Sequence, residues 1–149
     1  MKTQTQLSVF LVNKPGVLAQ VCDALARARV NIVALTMMDS SEHGVLRLVV
    51  EDVDRARQAL AALNVPMTET DVLCVELANR PGALADVCRA LGDEHINISY
   101  AYCTTGAPGG KTLGVFKVAD SRKALKVLSK PRPKRRVNDG VIRRPAVRP

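Results

Sequence analysis

Two stretches of this chain set an amide side chain just ahead of a helix-opening Pro-Gly pair: Asn13-Lys14-Pro15-Gly16-Val17-Leu18-Ala19 and Asn79-Arg80-Pro81-Gly82-Ala83-Leu84-Ala85. Proline has a fixed φ and no N–H, which suits the first turn of a helix, and glycine lets the backbone turn tightly. A helix starting there offers unpaired N–H groups and the positive end of its dipole to an anion. An asparagine amide accepts and donates hydrogen bonds at once. The chemistry on offer is non-covalent recognition of a small charged group. Downstream of each turn, at the same distance, stands an Asn-Ile pair, Asn31-Ile32 and Asn97-Ile98. Asparagine also serves helix caps and turns without any ligand, so that reading stands beside the first for all four positions.

Other chemistries find little support. His43 falls in a turn and His95 at a helix end, with no ligand-spaced partners for a metal. Gly106-Ala107-Pro108-Gly109-Gly110-Lys111-Thr112 ends like a phosphate-binding loop, but Thr105 stands where its first glycine belongs, and it leads into a strand rather than a helix. It reads as a hairpin loop. No serine, histidine and acid form a nucleophilic set, so the chain reads as non-catalytic, with no cofactor and no metal.

The 22 Lys and Arg outnumber 14 Asp and Glu, yet the excess sits at one end: residues 130–149 hold eight basic residues and one acid, Asp139. The remainder is close to neutral. This Pro- and Arg-rich tail is expected to be solvated and poorly ordered. Lys134, Arg135 and Arg136 are its candidates for contact with a nucleic acid through phosphate charge. The tail has no aromatic residue on which bases could stack, which argues against nucleic-acid recognition. Cys22, Cys74, Cys88 and Cys103 lack metal spacing and read as buried small hydrophobes. No apolar run reaches membrane-spanning length, so no membrane contact and a cytoplasmic, reducing location are expected.

The elements that position the turns repeat with a period of 66 residues, from Asn13 to Asn79. Leu7, Val9 and Leu11 alternate with Ser8, Phe10 and Val12 as a strand. Leu18, Val21, Cys22 and Leu25 then mark one helix face. Ile32 to Met38 and Val45 to Val50 read as two strands joined by a hairpin at 40–44. Asp52 caps a second helix with Val53, Ala56, Leu60 and Leu63 inward. Met67 to Leu77 serves as the last strand of the first copy and the first strand of the second. The second copy repeats the plan through Ser129, with Asp120 at the place of Asp52. Pro131 and Pro133 then stand where its last strand is expected, and proline cannot donate to a ladder. The result is an α+β fold of two ferredoxin-like βαββαβ modules, antiparallel sheets with helices on one face, the second module without its last strand. Residues 4–70 form the first module and 71–129 the second. Modules this small bury too little surface alone, which predicts pairing and a homo-oligomer, a dimer in the simplest case.

Strand, Asn-x-Pro-Gly-x-Leu-Ala, helix, then a Val-Asn-Ile or Ile-Asn-Ile strand resembles the ACT domain, and residues 5–129 resemble a free-standing tandem ACT protein. The resemblance implies an amino-acid-binding regulatory protein with its ligand at the interface between modules. It assigns ligand contact to Asn13, Pro15, Gly16, Val17, Leu18, Asn31 and Ile32, and to Asn79, Pro81, Gly82, Ala83, Leu84, Asn97 and Ile98. In serine-binding members both asparagine positions touch the ligand, beside a histidine two residues before the first. Leu11 and Leu77 stand at that place here, which implies a more apolar pocket. The alternatives are a protein–protein module or subunit of an amino-acid metabolic enzyme, and a regulator that meets nucleic acid through the tail.

Overall fold

A computed structural model describes residues 1–38, 43–104 and 111–130. In chain order its elements are β1 (Lys2–Val12), α1 (Val17–Arg27), β2 (Ile32–Met38), β3 (His43–Val50), α2 (Val53–Ala61), β4 (Met67–Ala78), α3 (Ala83–Asp93), β5 (Ile98–Cys103), β6 (Lys111–Val118) and α4 (Ser121–Ser129). The hairpin expected at 40–44 falls partly, and the glycine-rich loop and the basic tail almost wholly, outside the described residues. Asp52 and Asp120 cap as expected: each carboxylate accepts from a backbone N–H three residues on, Arg55 at 3.0 Å and Lys123 at 2.8 Å.

The six strands form one antiparallel sheet in the order β2-β3-β1-β4-β6-β5. Strand β4 continues from one repeat into the other, pairing with β1 through Met67–Cys74 and with β6 through Leu73–Ala78. Strand β1 does the same in reverse. The sequence places its start at Leu7, where apolar alternation begins, but it runs back to Lys2. That polar half pairs with Val72, Leu73 and Cys74. It occupies the place beside β4 that a last strand of the second module would fill, so the prolines after Lys130 leave no gap there. Thr5 lies opposite Asp71, its own equivalent in the repeat. A pseudo-twofold axis therefore passes through that pair and relates the two halves.

Parity along β1 and β4 separates two faces. Leu7, Val9 and Leu11 pack with Val21, Leu25, Ala56 and Leu60 of α1 and α2, while Leu73, Val75 and Leu77 pack with Ala90, Leu91, Ala124 and Val127 of α3 and α4. All four helices lie on this face. The α1 stripe is rotated from the expected one: Val21, Ala24 and Leu25 are buried, whereas Leu18 is exposed, because Ala24 takes the inward place of a larger residue.

The helix-free face carries a second core of Ala34, Val49, Val72, Cys74 and Val115, with Tyr102 and Leu113 against it. Burial of a face that no helix covers follows from curvature. Arg47 on β3 stacks over the ring of Tyr100 on β5 at 4.0 Å, although four strand spacings separate these strands. On a flat sheet that is about 19 Å, beyond the reach of both side chains. The sheet therefore curls, with this face concave and its two edges, β2 and β5, drawn towards each other. Cys74 is the one fully buried cysteine; Cys22 is half-buried, and Cys88 and Cys103 are exposed, contrary to the expectation of a buried set. Cys88 lies on the outer flank of α3, and Cys103 lies on the edge strand.

Candidate functional site

Both Pro-Gly turns fold alike. Gly16 (φ 87, ψ −15) and Gly82 (φ 84, ψ −11) are left-handed and stand at the N-cap of α1 and α3. The N-cap position falls on glycine in both turns, three residues after Asn13 and Asn79. Val17 N–H donates to the Lys14 carbonyl at 3.3 Å and Ala83 N–H to the Arg80 carbonyl at 3.3 Å. Asn13, Pro15, Gly16, Asn79, Pro81 and Gly82 are all exposed.

The two turns differ in charge. Helix α1 has no acid in its first turn, and Lys14 stands beside it. Helix α3 carries Asp86 there, bridged to Arg80 at 2.8 Å and to Arg89 at 3.4 Å. The second helix terminus therefore already faces a carboxylate of its own. The Asn-Ile positions differ as well. The Asn31 amide donates to Glu51 Oε1 at 3.1 Å, and Glu51 N–H returns a bond to the Asn31 carbonyl at 3.1 Å. Ala119 takes the place of Glu51 in the second module, donating its N–H to the Asn97 carbonyl at 3.4 Å. Its methyl leaves the exposed Asn97 amide without that carboxylate.

One chain does not assemble these groups. Because β1 and β4 run antiparallel, Asn13 and Asn79 lie at opposite ends of the sheet, each eight residues beyond the Thr5–Asp71 pair. At 3.3 Å per residue they are roughly 50 Å apart along the strands. Asn13 and Asn31 flank the eleven residues of α1, a span of about 16 Å. Of the other expected contacts, Val17, Ile32, Ala83 and Ile98 pack on the helix-side cores, while Leu18 and Leu84 are exposed. Leu11 and Leu77 are buried core side chains, 1% and 6% exposed. Their place as inward strand residues was readable from the alternation Leu7, Val9, Leu11.

Sequence reasoning passed over the strip beside α1. Leu35 and Met37 pair with Leu48 and Leu46, so they share the helix-side face of edge strand β2, and with Leu18 they stay about half exposed. The matching strip of the second module holds Leu84, Cys88, Ala101 and Cys103, all exposed. Lys134, Arg135 and Arg136 lie outside the described residues. Among the described residues no cluster of three or more His, Cys, Asp or Glu could hold a metal, and no helix is long and apolar enough to cross a membrane.

Comparison with known proteins adds the family. The model described as an ACT domain pair matches residues 2–134. Among solved structures, a protein from Bacteroides thetaiotaomicron is similar at 34% identity, with a TM-score of 0.78, covering 85% of this chain and 86% of that one. The regulatory subunit of aspartate kinase from Thermus thermophilus, in its ligand-free form, shares the fold at 15% identity and a TM-score of 0.64, covering 84% of this chain and 89% of its own. The corresponding subunit from Thermus flavus does so at 19% identity and 0.58, over 84% and 90%. No curated protein matches the sequence.

Proposed function

The chain belongs to the ACT domain-pair family, and from that premise we propose that it is a non-catalytic regulatory protein of the cytoplasm that binds a free amino acid between two copies of itself. ACT domains are regulatory modules and often bind amino acids, and no catalytic family is indicated. The observation that carries the reading is the Asn13–Gly16 turn: an exposed helix N-terminus with a lysine beside it and no acid of its own, flanked by an amide. Such a terminus favours the carboxylate of an amino acid.

The ammonium needs acceptors, and Asn31 with Glu51 supplies an amide and a carboxylate at 3.1 Å from each other. In one chain that pair lies at the far end of α1. Met38 pairs with Val45 and Val12 with His43, so the end of β2 and Asn13 share one end of the sheet. Antiparallel addition of a second copy along the free β2 edge brings that copy's Asn31 and Glu51 to the Asn13 end. It also covers Leu18, Leu35 and Met37. Ligand and dimer then support each other, and the regulatory effect comes from different affinity for two arrangements of the copies. A metabolic enzyme as the regulated partner accords with this role.

Thermal unfolding of the protein against millimolar concentrations of each free amino acid tests the reading. A ligand at about 100 times its dissociation constant adds about 2.7 kcal/mol to the folded state. We expect one amino acid to raise the midpoint, the shift to vanish in Asn13→Ala, and the dimer in sedimentation to tighten with ligand. A flat panel refutes amino-acid binding.

A further inference from the structure

We propose that the outer flank of α4, together with the basic stretch that follows it in sequence, is a docking surface for the phosphate backbone of double-stranded DNA. It lies on the second module and shares no residue with the two Pro-Gly turns.

Charge along this chain divides at α4. Residues 121–149 hold eleven of the 22 Lys and Arg and one of the 14 Asp and Glu, so they carry a net charge of +10 and the residues before them −2. Four of the eleven stand in or directly after α4: Arg122, Lys123, Lys126 and Lys130, all exposed. Arg122, Lys126 and Lys130 follow one another in four-residue steps, which sets them along one flank of the helix over about 12 Å. Among the described residues none of these three takes part in an ion pair. Lys123 donates to the Glu94 carbonyl at 2.7 Å and ties α4 to the end of α3.

Helix stability does not call for this pattern. A cation in a last turn complements the helix dipole, which accounts for Lys126 and Lys130. In a first turn a cation opposes the dipole, and α4 sets Arg122 and Lys123 there with no acid. The repeat supplies the comparison. Asp54, Gln58 and Ala62 stand in the first module where Arg122, Lys126 and Lys130 stand in the second, and Arg55, in the place of Lys123, is bridged to Asp52 at 3.3 Å. The inward residues are alike, Ala56 and Leu60 against Ala124 and Leu128, so packing does not require the difference in charge.

The chemistry of the flank selects the partner. Seven of the eleven basic residues are Arg, whose planar fork takes two phosphate oxygens at once. A lipid surface fits poorly: Ala124 and Val127 are buried and Leu125 and Leu128 pack on the same core, which leaves α4 no apolar face to insert. Residues 121–149 hold no Phe, Tyr or Trp. That rules out a stacking platform for unpaired bases but not contact with the backbone of a duplex. The flank presents cations and no neutral groups placed to read the 2′-hydroxyls of duplex RNA. Duplex DNA meets it with one charge per 1.7 Å of axis, about seven along 12 Å.

Fluorescence anisotropy of a labelled, mixed-sequence DNA duplex titrated with the full chain tests the surface. We expect binding whose log affinity falls linearly with log salt. Arg122→Gln with Lys126→Gln should reduce that slope by about 1.8 and the affinity about thirtyfold near 0.15 M salt, because each phosphate contact contributes about 0.9 to the slope. Arg27→Gln with Arg29→Asn removes the same charge from exposed positions of the first module and should change both far less; Asn suits the left-handed backbone of Arg29. Circular dichroism should match the parent in both, and Arg122→Gln alone decides should the α4 pair fail to fold. The proposal is overturned if the duplex does not bind at about 0.05 M salt, if the α4 variant keeps the parent's slope, or if the two double variants weaken binding equally. Tighter binding to duplex RNA of the same sequence, or to phosphatidylserine vesicles, than to the DNA overturns it as well.

Discussion

Gln6→Leu is the sharpest test of how the two modules are joined. Leucine fits the buried volume but makes none of the three hydrogen bonds that Gln6 shares with Ser8, Tyr100 and Tyr102. Ser8 is itself 8% exposed, so its hydroxyl loses a partner where water is scarce, at a cost of about 1–3 kcal/mol. The tyrosine hydroxyls are half-buried and find solvent in part, so each loses about 0.5–1 kcal/mol. The leucine gains back some apolar burial, and the net loss is about 2–4 kcal/mol, a large share of the 5–15 kcal/mol typical of a folded domain. Urea unfolding with tyrosine fluorescence and far-ultraviolet circular dichroism measures it, read from the midpoint at constant slope. Tyr102→Phe, which removes one bond and leaves Gln6 two, should cost about 1 kcal/mol. Combining Gln6→Leu with Tyr100→Phe and Tyr102→Phe should recover part of the loss, because the orphaned hydroxyls are gone. A Gln6→Leu protein as stable as the parent would refute the reasoning, since the concave face would then be held by apolar packing alone.

Gly16→Ala meets nothing within 4 Å of the new methyl, so its cost is that of a left-handed alanine, about 1–2 kcal/mol in chemical denaturation. Gly82→Ala should match it, its nearest neighbour being Arg80 Nη1 at 3.7 Å. The Arg57 hydrogen bond holds the Glu69 carboxyl below the ordinary carboxylate value, and Lys111 does the same for Glu76. A lowered folded-state value gives stability that is present above the ordinary value of 4.5 and is lost as pH falls through the lower one. Glu69→Gln should flatten acid unfolding in that window, an effect reduced by salt because the pair is exposed. Burial pushes the Tyr102 hydroxyl above its ordinary value. An alkaline absorbance titration should therefore show a component that ionises late, and Tyr102→Phe should remove it. A thiol reagent should label exposed Cys88 quickly and Cys74 slowly, since burial raises the Cys74 thiol and hides it; mass spectrometry of timed digests reads both.

The elements were legible because each is written locally. The two Pro-Gly turns, the aspartates at positions 52 and 120, and the alternation Leu7, Val9, Leu11 announce their structures within a few residues, and the repeat doubles every signal. The shared strand was legible too, since no linker separates Met67 from Leu77. The inward face of α1 was misjudged because Leu18 and Ala24 compete for the same stripe, and size alone favours leucine. The polar start of β1 was missed for a related reason: Lys2 to Gln6 carries no apolar alternation, and its reason for being a strand lies in β4, about 70 residues away.

The sequence by itself determined what repeats: two ACT modules, their helix faces, and the turns that open α1 and α3. Local propensity and periodicity suffice for these. The tertiary structure alone decided what lies near what. Antiparallel pairing of β1 with β4 sends the two turns to opposite ends of the molecule, and the curl of the sheet brings Arg47 to Tyr100 across four strands. Strand order and curvature are sums over many distant pairings, and no stretch of chain carries them.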